Sequence, residues 1–116
     1  MFRYEYSGNF SSISPWDQLG AYHSSELPLI FGTYPNYRED LLTPASAALL
    51  NETSELMQDS WLAFMRDGAA GMAEVGWPAY TSVDGGVVRE FARDGVPAVD
   101  GNERAWEALC PPMFQA

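Results

Sequence analysis

The chain contains a single histidine, His23, the side chain best suited to taking and returning a proton near neutral pH. It stands in the run Gly20-Ala21-Tyr22-His23-Ser24-Ser25-Glu26-Leu27-Pro28-Leu29-Ile30-Phe31-Gly32. Gly20 and Ala21 form a small-residue turn ahead of it. Leu27, Leu29, Ile30 and Phe31 supply an apolar anchor behind it. A loop held by packed neighbours is how a fold presents a general base. A lone histidine is more often structural than catalytic, so the residues around it must carry any assignment. Glu26, three residues on, reads first as a carboxylate at the positive start of a short helix. His23 and Glu26 do not make a metal site, because one histidine and one cysteine leave too few ligands. No Gly-x-Ser-x-Gly occurs, so the chain has no nucleophile elbow.

The elements that must position this loop can be read from period and punctuation. Residues 2–6 alternate Phe2, Tyr4 and Tyr6 with Arg3 and Glu5, the period of a strand. Residues 7–20 form a loop, in which Ser14-Pro15-Trp16-Asp17 reads as a capped helix start. A short, irregular helix follows His23, limited by Pro28. Thr43-Pro44 starts the best helix of the chain, ended by Gly68 as its C-cap. Its core-facing stripe is predicted as Leu49, Thr53, Leu56, Met57, Trp61, Phe64 and Met65. Residues 69–80 read as loop. Val87 to Phe91 reads as a strand returning through Asp94-Gly95 to Val96–Val99, a small hairpin. Asp100-Gly101-Asn102-Glu103 resembles a capping box that opens a last helix running to Cys110, where Pro111 and Pro112 stop it.

Taken whole, the histidine run resembles the catalytic-histidine segment of the type-B carboxylesterases, the family of the cholinesterases and many fungal lipases and esterases. His23, Glu26, Phe31 and Gly32 stand in that pattern. Phe2-Arg3-Tyr4-Glu5-Tyr6 is similar to the family's last central strand. Met57-Gln58-Asp59-Ser60-Trp61-Leu62-Ala63-Phe64 is similar to its long C-terminal helix, and Gly76-Trp77-Pro78-Ala79-Tyr80 to the Trp-Pro-x-Tyr element after it. The resemblance covers most of residues 1–116 and implies an α/β class: the C-terminal part of an α/β-hydrolase fold, with one central-type strand, a long helix, a small hairpin and a final helix. It implies hydrolysis of carboxylic esters with His23 as the general acid/base of a Ser-Glu/Asp-His triad, without a cofactor. Glu26 becomes a buried group beside the catalytic centre, and Tyr22 either lines the acyl pocket or packs. In α/β-hydrolases the triad runs Ser, then acid, then His, so a C-terminal portion carries the histidine alone. Only 22 residues precede His23, and neither Glu5 nor Asp17 is assigned as the triad acid. A chain holding only the base is expected to be inactive by itself. The other class of reading is a non-catalytic protein, either a truncated or degenerate esterase or an interaction module like the cholinesterase-like adhesion domains.

Composition narrows the partners. At 116 residues the chain is one unit, not two. Its net charge of -10 argues against nucleic acid and anionic membrane surfaces. No apolar run approaches transmembrane length, and Met1 is followed by a strand-like run rather than a signal peptide. Cys110 is the sole cysteine, which excludes an internal disulfide. Asn9-Phe10-Ser11 and Asn51-Glu52-Thr53 make Asn9 and Asn51 glycosylation candidates and hint at a secreted full-length parent. A central strand expects parallel neighbours on both sides, and the chain is read as not encoding them. The isolated chain is therefore expected to expose Phe2, Tyr4, Leu29, Ile30 and the helix stripe, and to self-associate.

Overall fold

The computed structural model describes residues 1–14, 16–81 and 86–102. Within them a mixed sheet, a long kinked helix and one short helix form a small α+β unit. The elements are β1 (Tyr4–Tyr6), α1 (Leu27–Ile30), α2 (Pro44–Glu74), β2 (Val87–Phe91) and β3 (Ala98–Asn102). The sheet order is β1-β2-β3. β1 runs parallel to β2, with Tyr6 opposite Phe91, and β2 runs antiparallel to β3, with Phe91 opposite Ala98. The first strand therefore has one parallel neighbour after all, supplied by residues 87–91. A crossover through α2 provides the long connection that parallel pairing requires.

α2 begins as its sequence dictates. The Thr43 side chain accepts from the Ser46 N–H, the Ser46 side chain accepts from the Thr43 N–H, and Pro44 sits in the first turn. The end differs from expectation. Gly68 takes φ 55°, ψ -127°, but the chain resumes helix and runs on to Glu74. Gly71 then lies directly against the Ala63 carbonyl, where a Cβ would collide. A left-handed glycine makes the bend, and a second glycine lets the last turn fold back against the main segment.

The buried stripe of α2 agrees with the predicted one at Thr53 and Met57, with Leu49 and Trp61 packed against the core, and differs at its other positions. Leu50, Thr53, Ser54, Met57, Ser60 and Ala63 are buried, whereas Leu56, Phe64 and Met65 are exposed. Three small hydroxyl residues lie on the inner face: Ser54 meets the α1 backbone at the Leu29 carbonyl, while Ser60 bonds back to Leu56 within α2. The core gathers Phe10, Leu29, Leu50, Met57, Met72, Trp77 and Phe91. Leu29 is fully buried, contrary to its expected exposure, because α1 packs onto α2. An aromatic cluster ties sheet to helix: Tyr4 meets Trp61 edge-on at 5.0 Å, Trp61 lies 5.9 Å from Trp77, and Trp77 lies 5.6 Å from Phe91.

Two further expectations are corrected. Asp100, Gly101 and Asn102 belong to β3 and not to a helix cap. Asp100 pairs with Arg89 across the hairpin at 2.6 Å, which makes the extended state the satisfied one. Ser14 donates to the Trp16 carbonyl and does not cap a helix; Asp17–Leu19 is a single 3₁₀ turn with no side-chain cap. The expected last helix and Cys110 lie outside the described residues. Among the described residues no helix is long and apolar enough to cross a membrane, and no cluster of potential metal ligands occurs.

The kink is testable. Gly68→Ala is expected to cost about 1–3 kcal/mol through backbone strain, and Gly71→Ala about the same through overpacking on the Ala63 carbonyl. Urea unfolding would read both, and an unchanged midpoint for Gly71→Ala would show that the last turn does not fold back.

Candidate functional site

The loop bearing His23 is built by three backbone devices. Gly20 takes φ 56°, ψ -140°, a conformation open to glycine, and redirects the chain. Ser25 then donates its N–H to the Tyr22 carbonyl at 3.0 Å, closing a turn with His23 and Ser24 at its corners. Ser24 has φ 68°, the sign that the third position of a type II turn demands and that glycine normally meets. A non-glycine residue held there beside the only histidine is a strained backbone at a chemically capable position. Position at the corner leaves His23 exposed.

The third device ends the anchor helix. Gly32 takes φ 63° and donates to the Leu29 carbonyl, while Thr33 donates to the Pro28 carbonyl at 2.9 Å. These two bonds are the Schellman closure of α1. Gly32 is doubly required, since a Cβ there would sit 3.1 Å from the Gln58 amide nitrogen. The glycine after Phe31 is thus explained by a cap and a close approach.

What fixes α1 to the rest was not legible in advance. The Leu29 carbonyl accepts from the Ser54 hydroxyl at 2.7 Å and from the Gln58 amide at 3.0 Å, and Gln58 also donates to Ser54 at 2.8 Å. Ser54 and Gln58 are one helical turn apart and lie on the face of α2 toward α1. The signal for them was a polar pair spaced by four on a helix side that burial requires to be apolar. On the other flank Tyr22 donates its hydroxyl to the Ile13 carbonyl at 3.1 Å, tying the turn to the preceding loop.

Glu26 occupies the N-cap position of α1 but makes no cap hydrogen bond. Its half-buried carboxylate instead acts on the phenols of β1. The Tyr6 hydroxyl is pushed well above its ordinary pKa, first by burial, then by the charge of Glu26 and then by Tyr22. Tyr4 is raised by the same first two causes. Glu26 thus acts electrostatically on both phenols of β1 and Tyr22 on that of Tyr6 alone, while the Tyr22 hydroxyl bonds to the preceding loop. It brings no described residue into hydrogen bonding with the His23 ring. Asn9 and Asn51 are exposed. Asn51 lies in the second turn of α2, accepting from the Tyr34 hydroxyl at 2.6 Å and donating to Glu55 at 3.0 Å. Chemically, the arrangement presents a solvent-facing imidazole on a rigid corner, without a serine or carboxylate paired to it among the described residues.

Over 77 residues, 66% of its length, the chain is 44% identical to secreted lipase 5 of Gibberella zeae. Over 70 residues, 60% of its length, it is 43% identical to the chlorogenic acid esterase of Aspergillus niger. The chain is an esterase/lipase-like segment. It spans 13% of the length of each of these relatives. No protein-family profile and no solved structure matches it.

Two measurements follow from this geometry. Ser54→Ala removes one of the side-chain donors to a buried carbonyl and is expected to cost about 1–2 kcal/mol, whereas His23→Ala, on an exposed corner, should stay within about 0.5 kcal/mol of the wild type; denaturant titration distinguishes them. The pH dependence has a definite sign. Tyr6 is raised in the folded state, so its contribution is complete below the unfolded value of 10.0 and is lost as pH rises through the folded value. Stability is therefore expected to fall above about pH 10, less steeply in Tyr6→Phe, as read from urea midpoints across that range.

Proposed function

We propose that this chain supplies the catalytic histidine, His23, of a carboxylic ester hydrolase of the type-B carboxylesterase family with the α/β-hydrolase fold. The observation that carries this reading is the 43–44% identity to two fungal proteins named as a lipase and an esterase, over 60–66% of the chain. The corner position of His23 and the strained Ser24 beside it support it. In that role the imidazole takes the proton of an attacking serine hydroxyl and returns it to the leaving alcohol. The nucleophile and the triad acid come from polypeptide beyond this chain's own motif set. Glu26 is a positioning group near the base, acting through its field at Tyr6 and Tyr4, and Tyr22 holds the loop. The substrate is a carboxylic ester, no cofactor takes part, and the full-length parent is secreted, with Asn9 and Asn51 as glycan acceptors.

A second reading is a non-catalytic esterase-like protein or interaction module. It is favoured by one observation: the His23 ring has no hydrogen-bonding partner among the described residues.

A chimera separates the two. The chlorogenic acid esterase of Aspergillus niger, with its matched segment replaced by this chain, is expected to hydrolyse p-nitrophenyl butyrate. His23→Ala in that chimera is expected to lower kcat by roughly 10⁴- to 10⁶-fold, while the isolated chain stays at the buffer rate. A folded chimera that is inactive, or one indifferent to His23→Ala, supports the non-catalytic reading.

A further inference from the structure

The His23 ring has no hydrogen-bonding partner among the described residues, so its place is set through the backbone. Three bonds carry it back from the corner. Ser25 donates its N–H to the Tyr22 carbonyl at 3.0 Å, Leu27 to Ser24 at 3.2 Å, and Leu29 to Glu26 at 3.0 Å. These turns overlap and run without a gap from the corner to Leu29. Their last member lies in α1, which at four residues is too short to hold itself in water. The corner is therefore only as well placed as Leu29.

The grip on Leu29 exceeds what burial requires. A carbonyl oxygen offers two lone pairs. The Ser54 hydroxyl at 2.7 Å and the Gly32 N–H at 3.2 Å suffice to satisfy them. Gln58 adds a third donor at 3.0 Å, and the same nitrogen donates to the Ser54 hydroxyl at 2.8 Å. An apolar side chain of equal length would fill this half-buried position as well. The amide adds direction, because a hydrogen bond weakens steeply off line, whereas apolar contact is non-directional. The fit is close: a Cβ on Gly32 would lie 3.1 Å from the Gln58 nitrogen. On the other flank the Tyr22 hydroxyl, 3.1 Å from the Ile13 carbonyl, holds the corner from its N-terminal side.

We propose that Gln58 is a positioning residue for His23. With Ser54 it fixes the Leu29 carbonyl in distance and direction, and the overlapping turns pass that constraint to the imidazole. The proposal rests on the reading of His23 as the catalytic base. Misplacing a reacting group by about 1 Å costs on the order of 10²-fold in rate, so a residue that touches no substrate can control kcat.

The test has two arms. In the full chain, amide hydrogen exchange is read at Ser25 and Leu27. Gln58→Met keeps the length and loses the donor, and is expected to speed both amides by about tenfold or more. In the Aspergillus niger esterase chimera, Gln58→Met is expected to lower kcat roughly 10- to 100-fold with KM held within about twofold. Gly71→Ala, which strains the other end of α2, is expected to leave kcat unchanged. Gln58→Glu serves where Gln58→Met does not fold. Its carboxylate only accepts, but its protonated form donates again, so its kcat relative to wild type is expected to recover as pH falls toward about 4 to 5. Unchanged exchange at Ser25 and Leu27 overturns the proposal whatever the chimera does. So does faster exchange with kcat unchanged, or an equal loss of kcat in Gly71→Ala. A chimera indifferent to His23→Ala defeats the esterase reading and this proposal with it, and the exchange arm tells that failure from a failure of the Gln58 contact.

Discussion

One buried carbonyl organises the histidine-bearing half of this molecule. The Leu29 oxygen, inside the contact between α1 and α2, is satisfied by Ser54, by Gln58 and by the N–H of Gly32. A buried backbone acceptor left unpaired costs about as much as a lost hydrogen bond. A helix of four residues is far below the length that holds itself together in water. α1 exists because its side chains and this carbonyl are both taken up by α2. Its closure at Gly32 and the rigid corner at His23 follow, since the chain between them has no slack.

The other half depends on aromatic packing rather than on polar satisfaction. Trp77 sits between Phe91 of the sheet and Trp61 of α2, with the Arg89 guanidinium 5.3 Å from its ring. Arg89 also pairs with Asp100 and donates to the Gly76 carbonyl at 2.7 Å, so one side chain links the hairpin, the end of the helical segment and the aromatic cluster. Glu90, buried on the same strand, pairs with Arg93 at 2.8 Å and lies so close to Gly101 that a Cβ there would collide with its carboxylate. These contacts explain why the hairpin continues through Asn102 despite its polar composition.

The base on its corner has no hydrogen-bonding partner among the described residues, and the proposed function gives that a cause: in that reading the serine and the triad acid stand outside this chain's motifs.

Much of this was legible in residues 1–116. The first strand, the capped start of α2 at Thr43-Pro44, the strand at Val87–Phe91 and the turn bearing His23 follow from local rules of period, capping and backbone freedom. Those rules act within a few residues, so they are written in the string. Composition and motif likewise determined that the chain offers one base and no nucleophile elbow. The tertiary structure alone decided that Gly68 bends the helix without ending it, that Asp100–Asn102 extend a strand, and that Ser54 and Gln58 hold the Leu29 carbonyl. Each of those outcomes depends on a partner far along the chain: the Ala63 carbonyl for Gly71, Arg89 for Asp100, the Leu29 carbonyl for Ser54. Local preference at these sites is weak or points the other way. It is overridden because an unsatisfied polar group or a lost aromatic contact in the core costs more than the local preference is worth.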